Sequence, residues 1–130
     1  MPEIWDSRPY GFAQAVTFSG PGKRLYLSGQ AAMSADGEIQ FVDDKAQQMD
    51  LCFQNIERIL SELGASMADV VQCKILVAQY DAEKDLVALR SVWSQYMQSR
   101  VACTLIGVHS LALPGMWVEI EAVAEIPSER

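Results

Sequence analysis

Residues 116–125 constrain this chain more than any other stretch. Met116, Val118, Ile120, Ala122 and Ala124 project to one side, and Trp117, Glu119, Glu121 and Val123 to the other. A two-residue period of that kind belongs to a strand. Its first side is a core face. Its second side, with two carboxylates beside a tryptophan, suits neither a core nor plain solvent. That conflict predicts a surface that meets a partner or a ligand. The strand is expected to pair with residues 101–108, joined to them across residues 111–115.

The rest of the chain supplies what such a strand needs. Residues 12–18 and 23–29 read as a hairpin about the Ser19-Gly20-Pro21-Gly22 turn. Asp36-Gly37 marks a tight turn, with room for a short strand over 38–41. Asp43 and Asp44 precede Met49, Phe53, Ile56, Leu60 and Leu63, spaced by three and four, and Gly64 follows. These predict a helix with an acidic N-terminus and a glycine stop. Residues 70–78 read as a third strand. Asp81 caps a second helix whose buried stripe is Leu86, Leu89, Val92 or Trp93, and Tyr96. The order β-β-α-β-α-β-β is an α+β pattern, with two helices covering one face of a mixed sheet.

Length and charge narrow the function. At 130 residues the chain is expected to be one domain with a real core. The strands at 70–78 and 101–108 are apolar on both faces, yet the helices can cover only one. A homo-oligomer that buries the second face is expected, the alternative being cover by loops and the N-terminal segment. A net charge of -7 argues against a nucleic-acid partner, since phosphate neutralisation needs clustered Lys and Arg. No apolar run approaches the roughly 20 residues of a membrane helix. No signal peptide is apparent, and three cysteines in apolar settings read as reduced thiols of a cytoplasmic protein. One histidine and no metal-ligand spacing argue against a metal site.

Nucleophilic schemes find little support. No Gly-x-Ser-x-Gly elbow exists, and Cys103 and His109 lie roughly 20 Å apart if extended. Cys103 reads better as a small strand hydrophobe. Glu119 and Glu121 are the sharper candidates. A carboxylate on a semi-apolar strand face suits proton transfer or the orienting of water, and the competing reading is a salt bridge to Lys or Arg. Arg90 and Arg100 could anchor a substrate carboxylate, or be solvated helix charges.

At these residues the chain resembles the Rid (YjgF) family of reactive-intermediate deaminases. The resemblance rests on residues 25–30 (LYLSGQ), on Leu63-Gly64 followed by residues 67–71 (MADVV), and on residues 118–123 (VEIEAV). It covers nearly the whole chain. It implies a chorismate-mutase-like fold and a homotrimer whose sheets line a central barrel, with small-molecule clefts between subunits. It also implies cofactor-free hydrolytic deamination of an enamine or imine. A glutamate on the last strand handles the attacking water, and an arginine on the preceding strand grips the substrate carboxylate. With residues 106–108 (IGV) set on the family's V-x-V, the glutamate position is Glu119. The serine and glycine positions are Ser28 and Gly29, the early aromatic is Phe12, and the helix asparagine falls on Arg90. The arginine position is Cys103, and the cysteine that follows it is Leu105.

The resemblance thus implies Glu119 as the catalytic residue and Ser28, Gly29, Phe12, Arg90, Cys103 and Leu105 as substrate-binding, with no metal and no cofactor. It departs from the family at Cys103. Losing a charge-assisted hydrogen bond of about 1.5–3 kcal/mol would weaken binding of a small imino acid about tenfold to a hundredfold. Two readings follow, a deaminase for an unusual enamine or imine and a non-catalytic trimer that captures a small metabolite. A ribonuclease reading, attached to some relatives, sits poorly with the acidic charge.

Overall fold

A computed structural model describes residues 6, 8–10, 13, 15–97 and 101–128. Its strands and long helices are β1 (Gly22–Ala31), α1 (Lys45–Glu62), β2 (Val70–Ala78), α2 (Ala82–Met97), β3 (Ala102–Val108) and β4 (Val118–Pro127). Single 3-10 turns lie at Arg8–Tyr10 and Met67–Asp69.

Local chemistry sets the helix ends. The Asp44 carboxylate accepts from the Gln47 amide at 3.0 Å and so caps α1. At the other end the Ala65 amide donates to Leu60 O at 2.8 Å and the Gly64 amide to Ser61 O at 3.2 Å. Gly64 has φ +78°, so this is a Schellman stop, which favours glycine. Asp81 caps α2, accepting from the Glu83 amide at 3.0 Å. The buried face of α1 carries Met49, Phe53, Ile56 and Leu60, as its spacing predicts. On α2 the buried residues are Leu89, Trp93 and Met97. Leu86, expected in that stripe, is exposed to 37%. It stands one turn towards the helix start, where the packing opens into a cavity.

The sheet order is β1-β4-β2-β3. β4 runs antiparallel to both β1 and β2, and β3 runs parallel to β2. The expected pairing of the last two strands therefore does not form. β2, α2 and β3 make a parallel crossover, which leaves edges of β1 and β2 open. β4 takes that slot and satisfies its backbone groups on both sides. Val118, Ile120, Ala122 and Ala124 face the helices and are 0–2% exposed. The α+β class, the mixed sheet and the covering of one face by both helices are as the sequence predicts.

The N-terminal hairpin resolves differently. Phe12 and Gln14 lie outside the described residues, and residues 15–19 have no regular structure. Ala13 makes one parallel bridge to Ala102, its amide donating to Val101 O at 2.7 Å. The segment thus touches the β3 edge, at the far side of the sheet from β1. The helix-free face carries half-buried Leu76, Ile106, Val108 and Val123, and Tyr26 at 72% exposure.

Candidate functional site

Glu119 sits where β4 meets an irregularity in β1. Leu27 pairs with Ala122 but Gln30 pairs with Ile120, so Ser28 and Gly29 together oppose Glu121. This is a β-bulge, a device that re-aims backbone and side chains. Gly29 fits the bulge for a steric reason. A Cβ there would stand 2.4 Å from Glu119 Oε1. The carboxylate fills the space that a side chain at position 29 would need. Ser28 is exposed on the bulge, outside the wall of the cleft, and its carbonyl accepts from Gln30 Nε2 at 3.0 Å.

Glu119 opens into a cleft of ≈ 520 Å³. Gly29 and Gln30 form one wall, Asn55 and Arg58 of α1 another, and Leu113 and Met116 a third. Asn55 Nδ2 donates to Ala31 O at 3.2 Å and Met33 O at 3.1 Å, which fixes the chain as it leaves β1. Among the described residues, the Glu119 carboxylate has no hydrogen-bond or ion-pair partner. An unpartnered carboxylate in a wet cleft can order a water and take a proton from it. Asn55 and Arg58 carry no sequence signal, because they lie on the helix flank beside a regular buried stripe.

The remaining predicted residues gather elsewhere. Cys103 and Leu105 of β3 line a second cavity, of ≈ 350 Å³, together with Ile75 of β2. α2 contributes Leu86, Arg90 and Trp93, and Tyr10 and Tyr80 close the sides. Trp93 Nε1 donates to Tyr10 O at 2.9 Å and fixes the N-terminal segment over the cavity. The Arg90 guanidinium carbon lies 5.5 Å from the Tyr10 ring centroid, a cation–π distance. Tyr10 supplies an aromatic wall of the cavity, and Phe12, the aromatic position that the family resemblance implies, lies outside the described residues. Burial pushes the Cys103 thiol up to about 12, so it is neutral at physiological pH. It offers neither a nucleophile nor an anion anchor.

The predicted set is therefore split. Glu119 and Gly29 belong to one opening, and Arg90, Cys103 and Leu105 to another. β2 lies between β4 and β3, which sets those strands about 10 Å apart. Glu119 also alternates away from the helix-side face that carries Cys103.

Other candidates fall back to structure. Glu121 is half exposed and pairs with Lys74 at 3.8 Å. His109 is exposed, and its carbonyl accepts from Gln79 Nε2 at 2.6 Å. Arg100 lies outside the described residues. Trp117 precedes β4 and is withdrawn from the carboxylates, its Nε1 donating to Val42 O at 2.6 Å. Gln48, which the sequence reading missed, is fully buried and fully used. Its Nε2 donates to Gln40 O and Gly115 O, and its Oε1 accepts from the amides of Trp117 and Val118. It fixes the entry to β4, two residues before Glu119. Among the described residues no group of three His, Cys, Asp or Glu is placed to share a metal ion.

Known proteins share this fold. The sequence model of the family described as Endoribonuclease L-PSP, which is the YjgF/Rid family, matches residues 7–126. The chain belongs to the Rid family. A 2-iminobutanoate/2-iminopropanoate deaminase of Dermatophagoides farinae is 32% identical over 124 residues, covering 92% of this chain and 89% of that protein. The mitochondrial protein mmf1 of Schizosaccharomyces pombe is 27% identical over 127 residues, 95% of this chain and 72% of that one. Among solved structures, the Rid protein YyfB of Yersinia pestis superposes with a TM-score of 0.87 at 31% identity, over 95% of this chain and 93% of that one. As a Rid protein the chain has the α+β fold expected from its sequence. No helix among its described residues is long and apolar enough to cross a membrane.

Proposed function

We propose that this Rid protein is a trimer whose intersubunit clefts bind a small enamine or imine metabolite and hydrolyse it to a carbonyl compound and ammonia. The observation that carries the reading is the split site. Glu119 is a free carboxylate fitted over Gly29, and the predicted substrate-binding residues of β3 and α2 lie two strands away. One small imine cannot reach both within a chain. An adjacent subunit that lays its β1–β4 edge against β3 brings them together. The half-buried apolar residues of the helix-free face support such an assembly. The three free thiols suit a reducing compartment such as the cytoplasm.

The chemistry needs no cofactor. A water held by Glu119 adds its oxygen to the imine carbon while its proton passes to the carboxylate. That proton goes on to the nitrogen, giving a carbinolamine. The hydroxyl proton then passes by way of the carboxylate to the nitrogen as the C–N bond breaks, releasing ammonia and leaving the carbonyl. An enamine first takes a proton on its β-carbon and gives one up from its nitrogen to become the imine. Removing such a general base costs about 10²–10⁴-fold in rate.

The test is ammonia release from imines generated in place by an amino-acid oxidase, followed with wild type and with Glu119→Gln, alongside light scattering. Acceleration by a trimer that is lost in Glu119→Gln is expected. A stable monomer, or turnover indifferent to Glu119, overturns the reading. The neutral Cys103 at the arginine position favours a second reading, capture without turnover, which predicts ligand-induced thermal stabilisation but no ammonia. The net charge of -7 supports neither RNA binding nor RNA cleavage.

A further inference from the structure

The cavity beneath α2 does not look like a site for a two- or three-carbon imino acid. Its volume, ≈ 350 Å³, is within the range of sites that hold larger organic ligands, about 300–1,000 Å³. Its floor is Ile75, fully buried, and half-buried Cys103. Trp93, at 5% exposure, and Tyr80 and Leu105 complete an almost wholly apolar lining. A carboxylate placed at the floor would lose its hydration and meet a neutral thiol. The floor therefore selects an apolar group.

Arg90 is the one cationic group on the lining. It is half-buried, stacked on Tyr10, and among the described residues it has no carboxylate within ion-pair distance. A guanidinium held on an aromatic face keeps its hydrogen-bonding fork free for a planar carboxylate. The cavity thus has an apolar interior and one anion-binding edge.

We infer that the ligand is a 2-imino acid with an aryl or branched alkyl side chain. The side chain fills the cavity over Cys103, and the carboxylate pairs with Arg90. The imine carbon then faces outward, towards Glu119 of the partner subunit. This rests on the hydrolytic trimer proposed above, and it places the apolar group where an arginine at position 103 would have held the carboxylate. Arg90 becomes a specificity-determining residue, and the size of the side chain becomes the selected feature.

The experiment compares phenylpyruvate with pyruvate, the stable 2-oxo acids that correspond to an aryl and a methyl substrate. Titration calorimetry on the full-length protein is expected to show phenylpyruvate binding about tenfold to a hundredfold tighter, from the burial of the ring. Arg90→Gln is expected to weaken phenylpyruvate about tenfold, with the fold unchanged by circular dichroism. Equal affinity for the two acids, binding of neither, or indifference to Arg90→Gln overturns the ligand class. Ammonia release from the corresponding imines is measured in parallel. Selective binding without ammonia release keeps the ligand class and overturns the hydrolysis. Ammonia release without selectivity does the reverse.

Discussion

The Glu119 cleft and the Arg90–Cys103 cavity are built on opposite principles. The first is made by absence. A glycine in a bulge leaves room for a carboxylate, and that carboxylate is left without a partner. The second is made by packing. Aromatic and aliphatic side chains from β2, β3, α2 and the N-terminal turn enclose a dry space with one cation on its lining. A reactive group has to be exposed to water and held still, whereas a selective pocket has to exclude water. One protomer provides both but keeps them apart. The difference suggests that reaction and recognition are divided between the β1–β4 and β2–β3 sides of the sheet, to be joined by assembly.

Gly29→Ala tests the first half most severely. The new Cβ meets the end of a flexible side chain, so the carboxylate moves and the strand stays. Turnover is expected to fall about a hundredfold, as a misplacement of about 1 Å does, while the denaturation midpoint changes little. Gly22→Ala is the control. Its Cβ would stand 2.3 Å from Ile126 O, a backbone atom that cannot swing away, so that variant is expected to lose stability instead. Equal loss of activity in both variants would break the claim that the Gly29 position serves the carboxylate.

Gln48→Leu comes next. It leaves two amides and two carbonyls without their partner at the entry to β4, and about 2–4 kcal/mol of stability is expected to be lost in urea titrations. Because Gln48 supports the strand that carries Glu119, turnover should suffer more than phenylpyruvate affinity. Parallel loss of both would mean that the two regions are one cooperative unit.

How much of this was legible in the sequence follows from the range of each interaction. Asp44, Gly64 and Asp81 announce the helix ends because a cap acts within a few residues. Glu119 was legible because strand alternation is equally local, and the family pattern marks the same residue. The place of β4 between β1 and β2 was not legible, since pairing depends on which edges the crossover leaves open. Gln48 reads as an ordinary helix polar residue until its four partners, up to 70 positions away, are brought to it. The part of Tyr10 in the cavity turns on how an irregular segment lies over α2, which has no period to read.

The cavity side has its own signature in alkali. Burial raises the thiols of Cys73 and Cys103 to about 12, and Cys103 adds to the effect at Cys73. Each folded thiol then keeps its proton where the unfolded one, near 9, has lost it. Their contribution to stability is full below pH 9 and declines between pH 9 and 12. The slope is at most about 1.4 kcal/mol per pH unit for each thiol. Urea midpoints measured across that range, with Cys73→Ala as comparison, should show the decline and its reduction in the variant. A flat profile would remove the description of that side of the sheet as dry.

Glu121→Gln is expected to do least, and for that reason it discriminates best between two carboxylates of one strand. Glu121 lies two residues beyond Glu119 and opposite the same bulge. Its carboxylate is half exposed, with Lys74 at 3.8 Å, beyond ordinary hydrogen-bond length. Such pairs contribute about 0.2–1 kcal/mol, less in high salt. The variant should therefore keep turnover within about twofold of wild type, with a small stability change that vanishes as salt is raised. A loss of activity as large as that of Glu119→Gln would show that the two carboxylates, which share one face of β4, work as a pair, and the reactive side would then extend along β4 past the bulge.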